Sequence, residues 1–410
     1  MFNYIWAGFF IVALIVGASQ AIFMGNTAIL GDMVNSTFEM AEFSVMGIAL
    51  PLCGVMTLWL GLMNIGEKAG AINVMSRVVG PFFSKLFPEI PKGHPASGQL
   101  VMNFSANLLG LDNAATPLGL KAMQSLQDLN PKKDTASNAQ IMFLALNTSG
   151  LTIIPVAILA QRAILGAANP TDVFVPLLIS TYVSTLSAII FVGIKQRLNL
   201  LNWTVMGWLL GLSALIGGMC WWLSTMSREG MTLATNIISN GILLIIMVGF
   251  IAGALKKKVN VFEAFIEGAK GGFETSVKII PYMVGTLVGI AVFRASGALG
   301  FITDGLAWFC GLFTERIEWV DAMPTAFMKP LSGSGAKAMM VECMKTFGPD
   351  SFAGRLSCLF QGAADTTFYI VALYFGSVGV KKTRYAIGAG LFADLMGVIA
   401  AIFVAYLFFF

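Results

Sequence analysis

Four polar stretches interrupt an otherwise apolar chain: "NFSANLLGLDNAATPLG" (Asn103–Gly119), "NTSGLT" (Asn147–Thr152), "KPLSGSGAK" (Lys329–Lys337) and "QGAADTT" (Gln361–Thr367). They supply the amides Asn103, Asn107, Asn113, Asn147 and Gln361, and the hydroxyls Thr116, Thr148, Ser149, Ser332, Ser334, Thr366 and Thr367. Amides and hydroxyls both donate and accept hydrogen bonds without ionising at neutral pH. Their chemistry is therefore the binding of a small polar organic solute, with these residues as the candidate contacts. Charge enters through Asp112, Asp365, Lys329 and Lys337, with Lys121 just beyond the first stretch. A charge at the centre of a bilayer costs at least about 2.5–3.5 kcal/mol, so such groups pair or face a watery path. The acids fit two roles: coupling to H⁺ or Na⁺, or a helix cap or structural ion pair with one of the lysines. Asp365 follows Gln361 by four residues, which predicts that both point one way on a helix. Asp304, Glu342 and Asp394 are further acids within apolar sequence, and no motif surrounds them.

Other chemistries are not indicated. "LSGSGAK" lacks the Ser or Thr that a phosphate loop needs after its Lys, because Lys337 precedes Ala338. The five cysteines (Cys53, Cys220, Cys310, Cys343, Cys358) form no CxxC pair and read as small packing residues, and His94 is the sole histidine. No metal site, no cofactor and no catalytic triad is expected, and the chain is not read as an enzyme. Carboxylates are too few and scattered for a hard divalent cation. The small residues Ser332, Gly333, Ser334 and Gly335 also have a plainer role, letting helices approach closely.

The elements that must position these groups are membrane helices. Of 410 residues, 57% are hydrophobic and 11% charged, against about 25% charged in soluble domains. Apolar runs long enough to cross a roughly 30 Å hydrocarbon core recur, and the short alternating strands of a barrel do not. An all-α polytopic membrane protein follows. The first run, Tyr4–Phe23, has no Lys or Arg before it and the length of a spanning helix, so it reads as an anchor rather than a signal peptide. The net charge of +4 is spread among loops, which gives no sign of a nucleic-acid partner.

The chain also repeats itself. "MGIALPLCGVMTLWLGLMNIGEKAGAI" (Met46–Ile72) matches "VKIIPYMVGTLVGIAVFRASGALGF" (Val277–Phe301), pairing Pro51 with Pro281. "LGLKAM" (Leu118–Met123) matches "SGAKAM" (Ser334–Met339). "LALNTSGLTIIPVAIL" (Leu144–Leu159) matches "CLFQGAADTTFYIVAL" (Cys358–Leu373), pairing Asn147 with Gln361 and Leu151 with Asp365. The second copy alone carries that acid. We expect one repeat over residues 1–200, a linker transmembrane helix over 201–224 and a second repeat over 225–410. Basic loops favour the cytoplasm. Placing Lys195–Arg197, Lys256–Lys258 and Lys381–Arg384 on that side makes the last helices of the two halves run in opposite directions, so the repeats are inverted. Inverted repeats with broken helices near the midplane are a common build of secondary transporters. Gly and Pro in the polar stretches unwind helix, and the freed backbone groups must be buried in protein or line a cavity. The stretches are thus expected to be tips of re-entrant hairpins. The amphipathic segments Ser76–Gly93 and Asp304–Trp319 are expected to lie in the interface or brace those hairpins.

"NLLGLDNAATPLGLKAM" (Asn107–Met123) resembles the spore maturation protein A signature. "KPLSGSGA" (Lys329–Ala336) and "DTTFYIVALYFGSVGVKKTRYA" (Asp365–Ala386) resemble that of spore maturation protein B. The chain is similar to the two fused end to end, and both belong to the Gate (nucleoside-recognition) family. The resemblance implies a Gate-type transport unit in the cytoplasmic (inner) membrane of a bacterium, and it leaves the solute unassigned. The expected partners are the lipid bilayer, a small polar solute with nucleoside-like compounds among the candidates, and H⁺ or Na⁺. A homo-oligomer, with a dimer favoured, is the expected state. A non-transporting scaffold or regulator, and a channel or lipid-handling protein, stand as alternatives.

Overall fold

The computed structural model describes residues 2–91, 93–108, 112–152, 155–226, 228–312 and 316–410. Among them there are helices, turns and one isolated bridge, Thr135 to Lys382, and no strand. The chain is an all-α polytopic membrane protein. Six helical stretches among the described residues are long and apolar enough to cross a bilayer.

The first repeat opens with α1 (Phe2–Phe23) and α2 (Ile29–Glu42). A π-helical stretch, Phe43–Ala49, carries α2 into α3 (Leu50–Ala69). Pro51 stands where the π-helical stretch passes into α3, at an irregular turn of one continuous helix. Then follow α4 (Ala71–Leu86), α5 (Pro95–Leu108), α6 (Asp112–Leu129), α7 (Asn138–Ser149), α8 (Val156–Ile164) and α9 (Phe174–Gln196). Helix α10 (Trp203–Ser224) links to the second repeat. That repeat holds α11 (Arg228–Lys256), α12 (Val261–Ala295), α13 (Ala298–Gly311), α14 (Met323–Met328), α15 (Gly333–Phe347), α16 (Phe352–Gly362), α17 (Thr367–Ser377) and α18 (Ala386–Phe409). Each broken pair in one half has a partner in the other: α5–α6 corresponds to α14–α15, and α7–α8 to α16–α17.

Contacts between the loops establish the inversion. At one face, the turn before α7 meets the turn before α18. Lys381 and Lys382 donate their N–H groups to the Asp134 carbonyl at 2.9 Å each, and Lys382 pairs with the Asp134 carboxylate at 3.1 Å. At the other face, the turn before α9 meets the turn before α16. There Arg162, fully buried, pairs with Asp172 at 2.7 Å and Asp350 at 3.0 Å, and Arg355 reaches Asp172 at 2.7 Å. Arg162 also donates to the carbonyls of Pro170, Asn169 and Pro349. Burial pushes the Asp172 carboxyl up, and the two arginines pull against it without cancelling it. The pair α7–α8 therefore runs from the first face to the second, and α16–α17 runs back.

Counterpart helices also pack on each other antiparallel. Along α3 and α12, Met56 lies against Gly272, while Asn64 donates to the Ala264 carbonyl at 2.6 Å. A side chain at Gly268 or Gly272 would collide with the α3 backbone, so this seam needs glycine. Along α9 and α18, Ser184 donates to the Ala393 carbonyl at 3.0 Å, and Phe191 stacks on Phe392. Gln196 donates to the Asn138 carbonyl, which places the basic end of α9 at the same face as Lys381–Arg384. Helix α4 buries Val79, Phe82, Phe83 and Leu86 against α5 and leaves Ser84 and Lys85 exposed, so it braces the first hairpin.

Candidate functional site

Local sequence chemistry forms both breaks. A capping box starts α7: Ser137 Oγ accepts from the Gln140 N–H, and the Gln140 side chain accepts from the Ser137 N–H. The helix stops at Gly150, whose φ of 57° is the left-handed conformation that suits glycine. Pro155 then leads into α8. In the second repeat, Ser351 caps α16 through the Gly354 N–H, and the helix ends at Gly362. Asp365 Oδ1 accepts the Thr366 N–H at 2.6 Å as α17 begins, where a carboxylate complements the helix dipole. The breaks touch directly. The Asp365 N–H donates to the Thr148 carbonyl at 2.7 Å, and a Cβ on Gly150 would lie 3.0 Å from that nitrogen.

A cavity of about 280 Å³ opens where the breaks meet. Asn107, Thr116, Asn147 and Thr152 line it from the first repeat, and Lys329, Gln361, Asp365 and Tyr374 from the second. Asn107 Nδ2 donates to Asn147 Oδ1 at 2.9 Å, and Asn147 Nδ2 donates to the Phe143 carbonyl at 2.9 Å. The Tyr374 hydroxyl reaches the same Asn147 oxygen at 3.5 Å. Gln361 differs from Asn147: its Oε1 is buried and has no hydrogen-bond partner among the described residues. Buried acceptors are almost always satisfied, so this oxygen is an exception within the second break.

Six of the sequence-predicted residues thus come together: Asn107, Thr116, Asn147, Lys329, Gln361 and Asp365. Others serve the scaffold. Asn103 is buried and donates to the Ala115 carbonyl at 2.8 Å. The Thr148 and Ser149 hydroxyls donate to carbonyls three residues back, Ala145 and Leu146. Ser332 Oγ caps α15 by accepting the Gly335 N–H, while Ser334 is exposed beside it. Thr366 is buried and Thr367 donates to Asp394. Lys121 is exposed on α6 and Lys337 half-buried on α15, and neither lines the cavity. The side chains of Asp112 and Asn113 lie outside the described residues. The helical alignment of Gln361 with Asp365 does not hold, because α16 ends between them; both reach the cavity through the break instead.

A family model described as nucleoside recognition, the Gate family, matches residues 49–165 and 276–381, one segment in each half. The chain belongs to the Gate family. Every polar cavity residue named above falls inside the matched segments of this Gate protein. It is 44% identical over 174 residues to spore maturation protein B of Bacillus subtilis (strain 168), covering 42% of this chain and 96% of that protein. It is 40% identical over 190 residues to spore maturation protein A of the same organism, covering 46% of this chain and 93% of that protein. This Gate protein thus holds, in one chain, close to the full length of each of two relatives.

Sequence reasoning named Asp394 only as an acid in apolar sequence and gave it no role. It lies on α18 of this Gate protein, beyond the matched segments, buried and bonded to Thr367 at 2.7 Å. The residues around it, "GLFADLMG", carry no break and no second polar group, so only the spacing of small residues along α18 hints at a crowded face.

Proposed function

We propose that this protein is a multi-pass secondary transporter of the bacterial cytoplasmic membrane. Its solute is small, polar and organic, and binds between the repeats. The observation that carries this reading is the set of amides that the two breaks bring to one cavity, the Asn107–Asn147 pair from the first repeat and Gln361 from the second, whose buried oxygen has no partner among the described residues. Hydrogen bonds from neutral amides, with Lys329 and Asp365 at the margin, suit a solute bearing both donors and acceptors. The volume lies just under the roughly 300–1,000 Å³ of drug-sized pockets, which favours something the size of a nucleobase, nucleoside or amino acid. The family description makes nucleosides the first class to test. The basic face, with Lys381, Lys382 and Arg384, is the cytoplasmic one in this reading.

The test is thermal unfolding of the purified full chain against nucleosides, nucleobases, amino acids and dicarboxylates. A true solute at one hundred times its Kd adds about 2.7 kcal/mol, a clear rise in Tm from one class and not the others. No rise from any class refutes a solute cavity and leaves the scaffold reading.

A further inference from the structure

Asp394 sits part-way along α18, buried where that helix crosses the second break. Its Oδ2 accepts from Thr367 Oγ1, while Oδ1 is buried with no partner among the described residues. Gly390, one turn earlier, holds α18 against both breaks: a Cβ there would crowd Thr367 and come 3.4 Å from Thr148 Oγ1. Lys329 is buried, lines the solute cavity, and attracts the Asp394 carboxylate; Asp365 repels it. The other elements packed on α18 bring little charge. Helix α7 has no titratable side chain, and α16 brings Arg355, engaged with Asp172, and the buried Cys358. Helix α17 brings Tyr369 and Tyr374. Helix α9 brings Tyr182, bonded to the Leu209 carbonyl and Ser213, and Lys195 at its far end.

We propose that Asp394 is a proton-binding site, and that Lys329 carries its charge state to the solute cavity. A charged carboxylate in the interior of a membrane protein is costly and seldom purely structural. Ionised, Asp394 draws the Lys329 ammonium toward α18. One proton from water, taken up on the unpartnered Oδ1, removes that attraction and releases the ammonium to meet an acceptor on the solute. Proton and solute then favour each other's binding, and the coupling is reciprocal. The link to solute rests on the cavity reading above; the proton site does not.

The experiment needs no solute. Infrared difference spectra of the full chain in lipid nanodiscs are recorded as pH is lowered. We expect a protonated-carboxyl band that is missing in Asp394→Asn, a variant that keeps an acceptor for Thr367. In Lys329→Met the same band should grow in at a pH higher by about one unit or more, because an opposing cation has been removed. An unaltered set of bands in Asp394→Asn, or an unmoved midpoint in Lys329→Met, overturns the proposal. Should Asp394→Asn not fold, the Lys329→Met midpoint decides alone. Failure of every solute in the thermal screen would leave this band where it is, so the two readings fail separately.

Discussion

The two breaks share a layout and differ in chemistry. The first is closed by a left-handed glycine and has its key amide, Asn147, satisfied by Asn107 and the Phe143 carbonyl. The second has no left-handed residue, keeps Gln361 Oε1 unsatisfied, and gathers Asp365, Lys329 and Asp394 around itself. The pairing of Asp365 with Leu151 shows the same asymmetry residue by residue. The first break behaves as the fixed wall of the cavity, and the second leaves the oxygens Gln361 Oε1 and Asp394 Oδ1 without a partner among the described residues.

That contrast is tested most severely at the clasp on which both repeats depend. Arg162→Met leaves Asp172 buried without its main partner, which should cost about 3–5 kcal/mol in thermal or denaturant unfolding. Burial already holds the folded Asp172 carboxyl above its unfolded value, and loss of the arginine raises it further. The folded state then takes up the proton more readily, so the deficit should be full above that raised value and shrink as pH falls through it. A deficit independent of pH would mean that Asp172 is not the group left stranded.

A smaller effect separates the walls themselves. Asn147→Leu strands the Asn107 amide and should destabilise the fold by about 1–3 kcal/mol. Gln361→Leu removes an acceptor that nothing among the described residues uses. Its Tm should hold or rise slightly, while any solute-dependent rise is lost. Equal destabilisation by the two variants would erase the distinction between fixed and uncommitted walls.

The least effect is expected at the exposed pair of Asp134 and Lys382. The Asp134 carboxyl is held below the usual range by its hydrogen bond from Thr135 and by Lys382. Its contribution is present above the ordinary carboxylate value and is lost as pH falls through the lowered one. Asp134→Asn should therefore leave Tm nearly unchanged at neutral pH and slightly flatten its acid dependence. A marked loss at neutral pH would make this turn as essential as the buried clasp.

Much of the frame was legible because its signals are local. Gly150, Pro155 and Gly362 in apolar sequence announce breaks, and the ordered motifs announce a repeat. Basic loops announce which helices run opposite ways, and the antiparallel α3–α12 and α9–α18 pairs agree. What stayed hidden depends on distance or on rotation about a helix. Thr148 and Ser149 sit in a polar break, yet their hydroxyls turn back to the preceding turn, as Ser and Thr in helices readily do. Arg162 and Asp350 meet only after folding, and no spacing in the sequence pairs them. Asp394 lies in unbroken apolar helix, where a single acid gives no hint of what crosses it.

Among its described residues helix α10 fully buries only Val205, and it packs mainly on α4 and α11. The two repeats, by contrast, are clasped at both faces by their own loops. The linker therefore acts less as masonry than as a leash. It converts the meeting of two halves from a bimolecular event into an intramolecular one, at an effective concentration that for short tethers reaches the order of millimolar. Pairing of the halves then occurs in fixed one-to-one proportion and does not weaken when the protein is scarce.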